Sequence, residues 1–222
     1  MSNPFSDAWA FLTGQSGDLS ALGGWKYLVL LLFYGLMAAS IAIAARNWRD
    51  DPAQRTGTNL ATWFIRVLLG AMWFQGMLWK LPLFQPNGLG FWMEQMAGRA
   101  AFGVHRDLVT AVYLPYFNAF NLVIFLTELA FATCLILGFG VRLIGTVAVL
   151  FSLHLWLGIY NDRGANDPDE WPWSYIFLAV SHVFLAIHAA GRSLGLDALL
   201  RRRIAFTAYG GNGIARAYKA IS

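Results

Sequence analysis

The stretch Phe64–Pro82, FIRVLLGAMWFQGMLWKLP, is long and apolar enough to lie across a bilayer, yet it carries Arg66, Gln75 and Lys80. A helix needs roughly 18 to 20 residues to cross about 30 Å of hydrocarbon. Positions 66, 70, 73, 77 and 80 advance by steps of three and four, so Arg66, Gly70, Trp73, Met77 and Lys80 share one helical face. An ionised side chain facing lipid at mid-depth costs at least about 2.5 kcal/mol, which turns that face toward the interior of a bundle. Gly70 on the same stripe lets a neighbouring helix or a ligand come close. Arg66 and Lys80 stand toward opposite ends, and snorkelling of their long stems to the two interfaces is the competing explanation for each.

The rest of the chain agrees with a membrane setting. Its 222 residues are 58% hydrophobic and 13% charged, with a mean hydropathy of +0.51, whereas soluble domains run nearer half apolar and a quarter charged. The apolar runs are continuous blocks, not the alternating segments of about ten residues that build a membrane β-barrel. They predict five helical spans: Trp25 to Ala45, Thr62 to Leu81, Tyr116 to Gly138, Val141 to Tyr160 and Trp173 to Ala190. The first is too long and lacks the basic start of a removable signal, so it is expected to stay attached. The single cysteine, Cys134, lies inside an apolar run and reads as a packing residue without a redox partner.

Charge orients the spans. Arg46, Arg49, Arg55, Arg142 and the basic tail from Arg192 to Lys219 gather on one side, while the last loop of the other side, NDRGANDPDE, is acidic. The positive-inside rule then predicts an outside N-terminus and a cytoplasmic C-terminus in a bacterial inner membrane. The basic residues sit at helix ends, not along one polar face, which excludes a nucleic-acid reading. Between Pro82 and Pro115, GFWMEQMAGRAAF and LVTAVYL are too short to cross and read as interfacial helices, a lid over the outer end. The aromatic residues at that level, Trp79, Trp92, Tyr113, Trp171 and Trp173 among them, fit an interfacial belt. The tail segment RSLGLDALLRRR reads as a basic amphipathic helix attracted to anionic membrane lipids.

A second polar stripe runs through Asn118, Asn121, Phe125 and Glu128. Glu128 falls near mid-span, and a carboxylate is too short to snorkel. His182 falls at a similar depth in the last span, and His154 about one turn further out in the fourth. If the three faces converge they form one ionisable cluster that handles protons; a structural hydrogen-bond network is the alternative. His105, beside Arg106 and Asp107, reads as solvated surface, and His188 as an interface residue. A quinone site needs an apolar slot, aromatic or Met walls and donors for its carbonyl oxygens; Arg66, Trp73, Met77, Lys80, a histidine and a carboxyl supply such parts. Only one Glu lies within a span, which argues against a di-iron bundle. A b-type haem held between His154 and His182 is geometrically conceivable. The chain lacks a CxxCH motif, a Gly-rich phosphate loop and a serine elbow, leaving covalent haem, nucleotide chemistry and hydrolysis without support.

With these residues in view, FIRVLLGAMWFQGMLWKL resembles the Arg-x-x-x-Gly-x-x-Trp-x-x-x-Gly-x-x-Lys-Leu type of signature of DoxX-like membrane proteins, with shifted spacing. WPWSY and GRSLGLD, within the run from Leu157 to Leu200, resemble the ending of that family and especially DoxD, the small subunit of thiosulfate:quinone oxidoreductase. The resemblance spans roughly Thr62 to Leu200. It implies a four-helix bundle, residues 62–200, that serves as the membrane partner of a quinone-linked oxidoreductase and works with a partner subunit carrying the redox centre. Residues 1–61 add a leader and an extra helix, and 201–222 a basic cytoplasmic tail. The resemblance points to Arg66, Lys80, Trp171, Trp173 and Tyr175. The expectation is an all-α integral membrane protein, a four-helix DoxX-like bundle plus one N-terminal helix, that binds quinone or lipid in an intramembrane pocket. A non-catalytic scaffold subunit and a haem subunit are the alternatives.

Overall fold

A computed structural model of the chain describes residues 3–85, 88–161, 170–207 and 213–222, with the side chains of 170–174, 205–207 and 214 outside the described set. Two short helices, α1 (Pro4–Leu12) and α2 (Gly17–Ser20), lead into α3 (Lys26–Asp50). Next come α4 (Gly57–Gly76), α5 (Gly88–Arg99) and α6 (Gly103–Leu108), then α7 (Phe117–Leu137), α8 (Val141–Gly158) and α9 (Glu170–Ile187). The shorter α10 (Leu196–Thr207) and α11 (Gly213–Ile221) close the described chain. There is no strand among the described residues.

Four segments, Gly23–Asp50, Gly57–Lys80, Phe117–Leu137 and Val141–Gly158, are long and apolar enough to cross a membrane, and the chain is a membrane protein. The fifth expected span falls on α9, whose described apolar part, Tyr175–Ile187, is shorter. The second span differs from expectation at both ends. The Thr56 side chain accepts a hydrogen bond from the Asn59 amide and starts α4 at Gly57, a capping geometry that a hydropathy reading passes over. At the other end the α-helix stops at Gly76, and a 3₁₀ turn, Leu78–Lys80, continues it. The lid stretch also differs, since α6 stops at Leu108 and Val109–Tyr113 forms a π-helical turn.

Helix α4 packs most closely on α7, and α8 on α9. Gly70 explains the first pair: a Cβ there would meet Ile136 Cγ1 at 2.7 Å and the Ile136 nitrogen at 2.9 Å. Small residues of this kind let backbones touch where lipid offers no hydrophobic drive for helices to associate. Phe33, Phe74, Phe131, Leu135, Ile136 and Leu185 fill the centre. Leu31 and Ile41 of α3, Phe64 and Leu68 of α4, and Phe177 and Val180 of α9 stay exposed, as side chains solvated by acyl tails would. Gln75, the amide in the opening stretch, is also exposed.

Two ends of the bundle are fixed differently. At one, α7 ends in Gly138 with φ +74, a left-handed cap that glycine adopts without strain. Arg66, fully buried, donates from Nη1 to the carbonyls of Leu135 and Ile136. Asp197, also fully buried, accepts from the amides of Gly140 (2.8 Å) and Val141 (3.2 Å) and from the Tyr218 hydroxyl (2.6 Å). A cation thus sits at the C-terminus of α7 and an anion at the N-terminus of α8, each at the favourable pole of its helix dipole. At the opposite end, the lid is pinned to α8: Ala101 N donates to Leu157 O at 2.8 Å, and Asn161 N to Arg99 O at 2.9 Å.

The leader grips both ends. Ser40 Oγ of α3 donates to Ile136 O at 2.6 Å and Asn47 Nδ2 to Gly195 O at 2.9 Å. Arg202 pairs with Asp51 at 2.9 Å. At the lid end α2 packs on the Leu78–Lys80 turn, with Leu19 fully buried.

Candidate functional site

A cavity of about 310 Å³ lies under the lid, between α4, α7, α8 and α9. Its walls are mostly apolar: Trp73 and Gly76 from α4, Ile124 from α7, Phe151 and Leu155 from α8, Leu178 from α9, and Leu89, Trp92, Met93 and Met96 from α5. Lys80, Glu128, His154, Tyr113 and Tyr175 supply the polar edges.

The charged pair is the centre of the site. Lys80 Nζ lies 2.6 Å from Glu128 Oε2, with side chains only 2% and 4% exposed. The ammonium also donates to Gly76 O at 2.6 Å and stands 3.6 Å from the centre of the Trp79 ring. Ions taken out of water are tolerated when they are paired and their remaining hydrogens find acceptors. The 3₁₀ turn brings this about: four residues past Gly76, it swings Lys80 back over the end of α4. Asp18 of α2 lies within electrostatic reach of the same ammonium.

Beside the pair, Trp73 Nε1 donates to His182 Nε2 at 2.9 Å. The other ring nitrogen, Nδ1, faces Leu178 O at 2.7 Å. An acceptor at Nε2 and a carbonyl at Nδ1 together require the neutral imidazole protonated on Nδ1. On the lid side the His154 ring stacks on His105 of α6, with centroids 4.7 Å apart and planes inclined by 25°, and meets the edge of Tyr113 at 5.7 Å. Burial holds the His105 imidazole below its ordinary pKa and pushes the Tyr113 phenol above its own.

The structure brings together Trp73, Lys80, Glu128, His154 and Tyr175 around one space. His182 stands behind Trp73 and reaches the cavity through it. Met77, expected on the wall, is 2% exposed and packed in the core, in the same apolar cluster as Phe74 and Leu78. Arg66 does not share the cavity; it caps α7 at the other end of the bundle. The side chains of Trp171 and Trp173 lie outside the described residues. His105 is no solvated surface group, and its stack on His154 is a tertiary contact that its charged sequence neighbours conceal. The ring of Trp79 over Lys80 and the edge of Tyr113 are further contributors that the aromatic-belt reading passed over.

A space of this volume and lining is large enough to admit a flat apolar ring, with an ammonium and a carboxylate at one edge to meet polar atoms. No curated protein and no solved structure matches the chain. Residues 61–209, more than half of it, match the family model described as the TQO small subunit DoxD. The chain therefore belongs to the DoxD family of membrane proteins.

Proposed function

We propose that the chain is the membrane subunit of a complex that passes electrons to quinone, and that the cavity beneath the lid receives the quinone ring. The family description, a small subunit of TQO, supports the first part. The second rests on one observation: a buried Lys80–Glu128 pair in the wall of an otherwise apolar, aromatic cavity. The residues fit the group. Its volume of about 310 Å³ lies at the lower bound for small-molecule pockets, with room for a ring and the start of a tail. Quinone supplies a two-electron, two-proton acceptor. Trp73, Phe151 and Trp92 would flank the ring, the Lys80 ammonium would donate to an oxygen at its edge, and the Glu128 carboxylate would hold or release a proton beside it. The lid keeps bulk water from the pair. The electron-donating centre belongs to a partner protein, and the charge distribution supports a bacterial inner membrane with the lid side outward.

The haem alternative is disfavoured by His182, whose two ring nitrogens are both engaged. Iron at Nε2 would have to break the bond to Trp73.

Photolabelling with an azido-quinone tests the reading. A Cβ at Gly76 meets nothing within 4 Å, so Gly76→Leu fills the cavity without a backbone clash. Wild type is expected to label on α4, α7 or α5, and Gly76→Leu to lose the label. Undiminished labelling of Gly76→Leu would place the ligand elsewhere.

A further inference from the structure

Asn121 is fully buried on α7, and neither its amide nitrogen nor its amide oxygen has a hydrogen-bond partner among the described residues. Buried polar groups in proteins are almost always satisfied, and where no protein atom serves, an ordered water does. Asn121 precedes Glu128 by seven residues, two helical turns, and so lies on the same face of α7. Further out on this helix, Asn118 lines an open groove together with Glu94 and Gln85. Further in, Ile124 and Glu128 line the cavity. Asn121 therefore lies, along α7, between the open groove and the buried ion pair. It lies about 4.5 Å along the axis from Asn118 and about 10 Å from Glu128, a length that about three water molecules at hydrogen-bond spacing would span.

We propose that Asn121 holds ordered water and that its face of α7 carries protons from the lid-side aqueous phase to the Lys80–Glu128 pair. A proton entering at the groove passes by exchange along these waters and ends on the Glu128 carboxylate, which becomes neutral and leaves the Lys80 ammonium held by the Gly76 carbonyl and the Trp79 ring. The amide serves as a positioning group, since it donates to one water and accepts from another without itself changing charge. The other polar groups around the end point are Lys80 from the turn after α4, His154 from α8 and Tyr175 from α9, with Asp18 of α2 behind Lys80. The route deepens the reading above, from which it takes only the role of the ion pair.

The test needs no quinone, so its failure is separate from failure of the ligand assignment. After an acidic pH jump on the full chain in detergent, infrared spectroscopy follows the carboxyl band of Glu128, identified by its loss in Glu128→Gln. In Asn121→Leu, and in Asn121→Val as a second apolar variant, protonation is expected to slow by about tenfold or more with the end point unchanged. Asn121→Ser, which keeps a hydroxyl and leaves room for water, is expected to retain the wild-type rate. Wild-type rates in the apolar variants overturn the proposal, and so does equal slowing in Asn121→Ser, which would assign the effect to packing.

Discussion

Lys80 and Glu128 meet at 2.6 Å across the gap between the end of α4 and the middle of α7, and neither is more than 4% exposed. The two helices are already held together by the close approach at Gly70, so the pair closes over a contact that exists without it. Its energetic signature is therefore asymmetric. Glu128→Gln leaves a buried ammonium without its counter-ion and is expected to cost about 3–5 kcal/mol, whereas Lys80→Met with Glu128→Leu removes both charges and should recover most of that loss. Thermal unfolding of the single and double variants in one detergent decides it. A double variant no more stable than Glu128→Gln would contradict this account.

Trp73→Phe keeps an aromatic ring in the wall but deletes the donor to His182. The stranded Nε2 is expected to cost about 1–3 kcal/mol. Trp73→Phe with His182→Phe should cost less than the sum of the two single changes, a coupling that a double-variant cycle measures.

Arg66 separates a structural role from a ligand role. One nitrogen of its guanidinium, Nη1, serves two carbonyls at the end of α7, and a delocalised, weakly hydrated guanidinium is easier to bury there than the compact, strongly hydrated ammonium of a lysine. Arg66→Lys is expected to lower stability by about 2 kcal/mol or more, while the azido-quinone labelling of the surviving folded protein stays at the wild-type level. Loss of labelling with unchanged stability would return Arg66 to the ligand site.

The lid should respond to pH. Burial depresses the His105 pKa, so below the ordinary value of 6.5 the unfolded lid binds a proton that the folded one does not. Stability contributed by the stacked ring is full above that value and declines as the pH falls through it. Hydrogen-exchange protection across 88–113, taken relative to the intrinsic amide rate at each pH, should fall between pH 7.5 and 5.5. His105→Phe, which keeps the stack and removes the charge, should flatten that change.

Much of this architecture is legible in the residues. Continuous apolar blocks locate the spans, and the step of three and four places Trp73, Lys80 and Glu128 on inward faces. The same stripe misleads about Arg66, because sharing a face is not sharing a depth. Fourteen residues separate Arg66 from Lys80, about 21 Å of helix. Met77 lies on the stripe too but packs into the central apolar cluster, since a shared face does not decide whether a side chain meets a void or a neighbour. His105 could not have been placed by any local pattern, because the lid folding back onto α8 creates its contact with His154. Asn121 lies on the polar stripe by sequence spacing, but what sets it apart, burial without a partner among the described residues, is visible only in the fold.

The clasp formed by the leader has a practical corollary. Leu19 seats on the turn that carries Lys80, and Ser40 and Asn47 fasten the far corner. A fragment cut down to the portion shared with the family would begin beyond all three. It would present a raw flank along α7, and nothing would brace the lysine from behind, so the shortened chain is a poor stand-in for the whole when the chemistry of the cavity is measured.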